Sequence, residues 1–151
     1  MQIGGVMRVR LVTARPDETA GAAIRKMLEA NVGSIVVCEE TVPVGIFTER
    51  DVLRLTAEGP DFDEVRVGDV MTTQLVTLSP HDDILDAARL MGERKIRHLP
   101  VLEGENLLGM VGIREVVRVL VERLWRTHDP EARDRARELL ARESTPLSSE
   151  Q

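Results

Sequence analysis

The sequence predicts an α+β fold in which two β-α-β-β-α repeats pack with pseudo-two-fold symmetry, followed by a further C-terminal helix. Three observations predict it. Shifted by 64 positions, Gly4–Arg54 lies over Gly68–Arg118 without a gap, and seventeen of the 51 aligned pairs are identical. Unrelated chains would match at about one position in fifteen at ordinary residue usage. Within each copy, short β-branched runs alternate with stretches of helical periodicity. Only two copies are present, so they are expected to pack face to face; a solenoid usually needs about three or more units to bury its core.

Taken in order, Val9 to Thr13 opens the first copy as a strand and Gln74 to Leu78 opens the second, each followed by a proline, Pro16 and Pro80. Asp17-Glu18-Thr19 and His81-Asp82-Asp83 come next, supplying acidic and hydroxyl groups that cap the free N–H groups of a first helical turn. In the second copy Ile84, Leu85, Ala88 and Met91 mark the buried stripe of that helix. Ser34 to Glu39 and Pro43 to Phe47 then read as a hairpin, as do Leu99 to Leu102 and Leu107 to Val111. A second helix begins near Glu49 and again near Ile113. The linker Gly59-Pro60-Asp61-Phe62-Asp63-Glu64 carries turn chemistry and divides the copies, giving repeats 1–64 and 65–127 and a C-terminal region 128–151. In that region an Asp129 N-cap and Pro130 introduce a charge-rich helix, Glu131 to Arg142, which reads as a solvated helix on the module or as a contact for a partner protein. Ser144 to Gln151 has the composition of a disordered tail.

At 151 residues, 42% apolar and 30% charged, the chain has the composition of a soluble globular protein. Trp125, Phe47 and Phe62 are its only aromatic residues, so it lacks the platforms on which single-stranded nucleic acids stack. A net charge of −6 counts further against nucleic acid as a partner. No stretch approaches the roughly 18 apolar residues of a membrane span, and Met1-Gln2-Ile3-Gly4-Gly5 has no signal-peptide character. The expectation is cytoplasmic, with no membrane association. Cys38, the single cysteine, sits in an apolar run and reads as a buried structural thiol. The three histidines show no metal-ligand spacing, and no nucleophile is paired with a base, so neither a metal site nor an enzyme is expected.

The candidate chemistry lies in Gly45-Ile46-Phe47-Thr48-Glu49-Arg50-Asp51. A glycine allows close approach, a hydroxyl stands at a strand-to-helix junction, and a carboxylate follows three residues later on the first turn. Free N–H groups and the positive end of the helix dipole attract a phosphate, and one carboxylate can accept hydrogen bonds from both hydroxyls of a ribose. Thr-x-x-Asp also fits a capping box, in which the two side chains merely satisfy backbone donors.

Gly-x-x-Thr-x-x-Asp after a hairpin, preceded by Val-Met and by Leu-Val-Thr-x-x-Pro, and joined in the second copy by Arg97-His98-Leu99-Pro100-Val101, resembles a CBS-domain pair over about Gly4 to Trp125. The resemblance implies a Bateman module, often a homodimer, that regulates a separate effector protein by binding an adenosyl ligand such as AMP, ADP, ATP or S-adenosylmethionine between its repeats, with no obligatory cofactor. It implies that Asp51 holds the ribose, Thr48 approaches phosphate or ribose and Ile46 packs on the base. It also implies that Leu75, Val76, Thr77 and Pro100 line the adenine, and that Arg97, His98 and Arg114 meet phosphates, His98 only when protonated. The second copy departs from the motif, with Gly112 for the threonine and Glu115 for the aspartate. The equivalent second cleft, near Thr13, Ile35 and Glu115, is therefore expected to be the weaker site. The alternative is a module that dimerises through apolar helices and binds nothing small.

Overall fold

The computed structural model describes residues 1–127 and, beyond them, residues 131, 134, 135, 137 and 138. The tail 144–151 and most of the expected Glu131 to Arg142 helix lie outside the described residues, and those five are helical.

The first repeat contains β1 (Thr13–Ala14), α1 (Ala20–Ala30), β2 (Ser34–Glu39), β3 (Val42–Thr48) and α2 (Glu49–Glu58). A short helix α3 (Val67–Val70) leads into the second repeat, with α4 (Ile84–Arg94), β4 (His98–Glu103), β5 (Asn106–Gly112) and α5 (Ile113–Thr127). The caps are those the sequence offers. Thr19 Oγ1 accepts from Ala22 N–H at 3.1 Å at the start of α1, and Asp83 Oδ1 accepts from Leu85 N–H at 2.9 Å at the start of α4. Gly59, at φ 77°, closes α2 in the left-handed conformation that glycine adopts without steric cost.

The hairpins share one register. Val36 faces Ile46 and Val37 faces Gly45, and 64 residues on Pro100 faces Met110 and Val101 faces Gly109. Each hairpin also shifts register one residue later, between Val37 and Cys38 and between Val101 and Leu102.

The opening strands depart from expectation. β1 is only two residues long, paired in parallel with Val36 and Val37, and Val9 is 70% exposed. Gln74 to Leu78 forms no strand at all and keeps a single bridge, Leu78 to Val101. The physical reason is Pro100. It stands where β2 has Val36, and with no N–H to donate it cannot extend the ladder past that bridge.

Packing crosses the sequence boundary at residue 64. The turn Ile3–Gly5 docks on the second repeat, where Ile3 N–H donates to Asp82 O at 2.9 Å and Gly4 N–H to Pro80 O at 2.8 Å. Helix α3 docks on the first repeat in the same way, Val67 N–H donating to Glu18 O at 2.8 Å and Gly68 N–H to Pro16 O at 3.0 Å. Ile3 accordingly belongs to the core of Ile84, Leu99, Val111 and Val116, and Val67 to the core of Ile35, Val37, Phe47 and Leu55. Each repeat lends its opening segment to the other. A third cluster, Val36, Cys38, Ile46 and Met110, joins the two sheets face to face. Cys38 is buried there as expected, and burial pushes its thiol pKa up.

The same exchange explains the repeated Val-Met and glycine positions. Met71 covers Gly45 and Met7 covers Gly109, each methionine lying where a Cβ on the glycine would point. At Gly109 that Cβ would also lie 2.9 Å from Arg8 O, a backbone atom that accepts from Met110 N–H at 3.0 Å. At Gly45 the three nearest atoms all belong to the flexible Met71 side chain. Gly109→Ala is therefore expected to destabilise by about 1–3 kcal/mol, the usual cost of overpacking, and Gly45→Ala by less. Denaturant melts of the two variants check the order.

Candidate functional site

A cavity of about 230 Å³ opens where α2 starts, between the first repeat and residues 72–76 and 95–100 of the second. Its floor is the Thr48–Asp51 junction. Asp51 is 6% exposed, and its Oδ2 accepts from Thr48 N–H at 2.9 Å and from Thr48 Oγ1 at 3.1 Å. Thr48 Oγ1 in turn meets Asp51 N–H at 3.4 Å, so the capping box is formed. The other oxygen, Oδ1, has only longer partners: Thr72 Oγ1 and Arg54 Nη2, both at 3.3 Å. Capping thus occupies one carboxylate oxygen and leaves the second to groups that can turn away, so the two readings of Thr-x-x-Asp are compatible.

Of the residues named from the sequence, Ile46, Thr48, Asp51, Leu75, Val76, Arg97, His98 and Pro100 surround this cavity. Ile46 and Pro100 are buried, with half-buried Leu75 and Val76 beside them, and they form an apolar slot. Thr48, Asp51 and the basic groups form the polar end. Thr77 is not on the wall, which ends at Val76; its side chain is exposed. Arg114 is not there either, because the start of α5 faces a second cavity. Its counterpart 64 positions earlier, Arg50, lines the first cavity together with Lys95 and Thr72. The repeat register held the signal for Arg50, since the arginine after Thr48 belongs with that threonine. Thr72 is brought in by backbone pairing with Ile46, N–H to O at 2.9 Å in both directions.

The second cavity, about 300 Å³, is the pseudo-symmetric partner and includes Arg8, Gly112, Arg114 and Glu115. Neither Thr13 nor Ile35 reaches it. Thr13 is engaged in β1 opposite Val36, and Ile35 is wholly buried in the first-repeat core. Glu115 Oε2 accepts from Gly112 N–H at 2.7 Å, the counterpart of the Asp51–Thr48 bond.

Gly33, Glu49, Arg97 and His98 line both cavities and form the partition between them. Burial first, and then the Arg8 and Arg97 guanidiniums, hold the His98 imidazole below its ordinary pKa of 6.5, and Glu49 and Glu115 pull only weakly the other way. His98 is therefore a neutral hydrogen-bonding group at pH 7, and fixed charge comes from arginine and lysine. The sign follows directly. As pH falls below 6.5, the unfolded chain takes up a proton at this position before the folded chain does, so stability drops toward the depressed folded pKa. Urea melts between about pH 7.5 and 5.5 should show this decline, up to about 1.4 kcal/mol per unit, and His98→Gln should flatten it.

The sequence profile of the CBS domain matches residues 3–58 and 67–122. The chain belongs to the CBS-domain family. It is 40% identical over 111 residues to the mitochondrial CBS domain-containing protein CBSX3 of Arabidopsis thaliana, covering 70% of this chain and 54% of that one. It is 38% identical over 111 residues to YhcV of Bacillus subtilis, covering 73% and 79% of the two chains. The chain thus spans about half the length of the plant relative. Among solved structures, CBSX2 in complex with AMP superposes with a TM-score of 0.70 at 26% identity, over 80% of this chain and 96% of that one. The CBS-domain protein ATU1752 of Agrobacterium tumefaciens gives 0.73 at 27% identity, over 79% and 98%. The protein contains a tandem pair of CBS domains. Among the described residues no helix is long and apolar enough to cross a membrane, and no group of three or more potential ligands could hold a metal ion.

Proposed function

We propose that this CBS pair binds an adenosyl ligand in the cavity above Asp51 and passes the bound state to a separate effector protein. The observation that carries the reading is the meeting of two half-sites from different repeats. Thr48 and Asp51 of the first repeat face the apolar slot that Leu75, Val76 and Pro100 of the second complete with Ile46. The base enters the slot, the ribose hydroxyls donate to Asp51, and Arg50, Lys95 and Arg97 receive phosphate. CBSX2, a protein of the same family with the same fold, is seen with AMP. Three cations around the polar end favour a nucleotide over S-adenosylmethionine, whose sulfonium carries positive charge.

A ligand touching both repeats shifts their packing only if it binds one arrangement more tightly than the other. Calorimetry with AMP, ATP and S-adenosylmethionine tests the reading. Saturable heat is expected from the nucleotides and its loss in Asp51→Ala; equal heat in both proteins would refute the assignment.

A homodimer fits the exposed apolar residues. Leu53 on α2 and Val117 on α5, equivalent across the repeat, are 72% and 41% exposed, and Leu124 is 68% exposed. These helices are the proposed dimer face, and they also suit the alternative of a module that only dimerises. Without ligand heat, and with a dimer by light scattering, that alternative would stand.

A further inference from the structure

The two cavities stand at equivalent positions of the repeats, and besides Gly112 for Thr48 and Glu115 for Asp51 they differ at Thr72, whose place is taken in the second by Arg8. Arg8 stands 64 positions before Thr72. Thr72 pairs with Ile46 through two backbone hydrogen bonds of 2.9 Å, and Arg8 pairs with Met110, the counterpart of Ile46, through bonds of 2.9 and 3.0 Å. From that common anchor the Thr72 hydroxyl reaches Asp51 Oδ1, whereas the Arg8 guanidinium reaches Glu115, with Nε 3.3 Å from Oε1. The contact is an ion pair, and Nε–H is buried without a hydrogen-bond acceptor.

What lies on either side of Arg8 gives the consequence. The second cavity keeps an arginine and a carboxylate at the equivalent positions, Arg114 for Arg50 and Glu115 for Asp51, with Gly112 in place of Thr48. It has none of the base slot: Leu11, Val12 and Val36, the counterparts of Leu75, Val76 and Pro100, do not line it. Space is not lacking, since the second cavity is the larger, about 300 against 230 Å³. Arg8 lines this cavity beside Glu115.

We propose that Arg8 is the residue that limits this chain to one nucleoside per CBS pair, by lying across the path from the second carboxylate to the second base slot and neutralising that carboxylate. The inference rests on the nucleotide reading above. Arg8→Thr copies the side chain of the first cavity into the second, where a threonine hydroxyl can still reach Glu115, and so leaves no buried carboxylate unpartnered.

The test is the stoichiometry of ATP binding by calorimetry on the full chain. One site is expected in the wild type, two in Arg8→Thr, and one again in Arg8→Thr/Asp51→Ala, the last residing in the opened cavity. Arg8→Gln, shorter by two bonds and uncharged, serves as the second variant should the threonine protein melt early. Two sites in the wild type, or one in both Arg8 variants while the wild type also binds one, would overturn the inference alone. Absence of binding in all proteins would overturn it together with the nucleotide reading.

Discussion

Ile3→Ala is expected to destabilise the protein by about 2–5 kcal/mol and to loosen the second repeat, not the first in which Ile3 lies by sequence. Ile3 is fully buried and packs with Leu78, Ile84, Leu99, Val111 and Val116, so truncation leaves a cavity in a core built by residues 75 positions or more away. The backbone around it is clasped on both sides, since Ile84 N–H donates to Met1 O at 3.0 Å while Ile3 N–H donates to Asp82 O. Such a loss is a large part of the about 5–15 kcal/mol that holds a domain folded. Val67→Ala is the mirror variant, acting on the core of Phe47 and Leu55, with a smaller cavity. Hydrogen exchange separates the two: Ile3→Ala should speed exchange in β4, β5 and α4, and Val67→Ala in β2, β3 and α1. Protection lost first in β2 and β3 of Ile3→Ala would contradict the exchange of opening segments.

What the sequence makes legible is what repeats or caps locally. The 64-residue match predicts both hairpins because β-branched runs at equal offsets need no partner to be recognised. The Thr48–Asp51 spacing predicts the capping box that forms at the start of α2, and the resemblance to a CBS-domain pair, not the spacing, singles the two out for a ligand role. Three features escape. Helix α3 has four residues, too few for any periodicity to register. The exchange of Ile3 and Val67 is invisible because repeat boundaries are read along the chain, whereas burial is decided by contacts across it. The loss of the opening strand in the second repeat turns on Pro100, which fits a β-rich run by composition but lacks the donor that a ladder needs. Site residues follow the same division. Asp51 and Val76 line the first cavity, but Thr77, beside Val76 in the same motif, and Arg114 do not, because which way a segment's side chains and a helix start face is not written in the motif. Arg8 lies outside every motif, and only its contact with Glu115 reveals it.

Asp51→Asn is expected to keep most of the stability that Asp51→Ala loses, while both lose nucleotide binding by about 100-fold or more. The carboxylate has two separable tasks. Its Oδ2 holds Thr48 N–H and Oγ1 at the start of α2, a bond set that an asparagine carbonyl oxygen can preserve. Alanine removes it, and the buried Thr48 N–H then stands without its acceptor, at about 1–3 kcal/mol. The proposed ribose task falls to Oδ1, where the present partners, Thr72 and Arg54, are both 3.3 Å away and replaceable. An amide –NH2 in that position donates and cannot accept from ribose hydroxyls. Losing two hydrogen bonds to a charged acceptor, each about 1.5–3 kcal/mol, corresponds to the expected factor of about 100 or more. Thermal melts and calorimetry on the same two variants therefore give four readings. If Asp51→Asn bound nucleotide as the wild type does while Asp51→Ala did not, the carboxylate would be a helix cap alone, and the loss in Asp51→Ala would reflect a disordered α2 start and not a missing ribose contact.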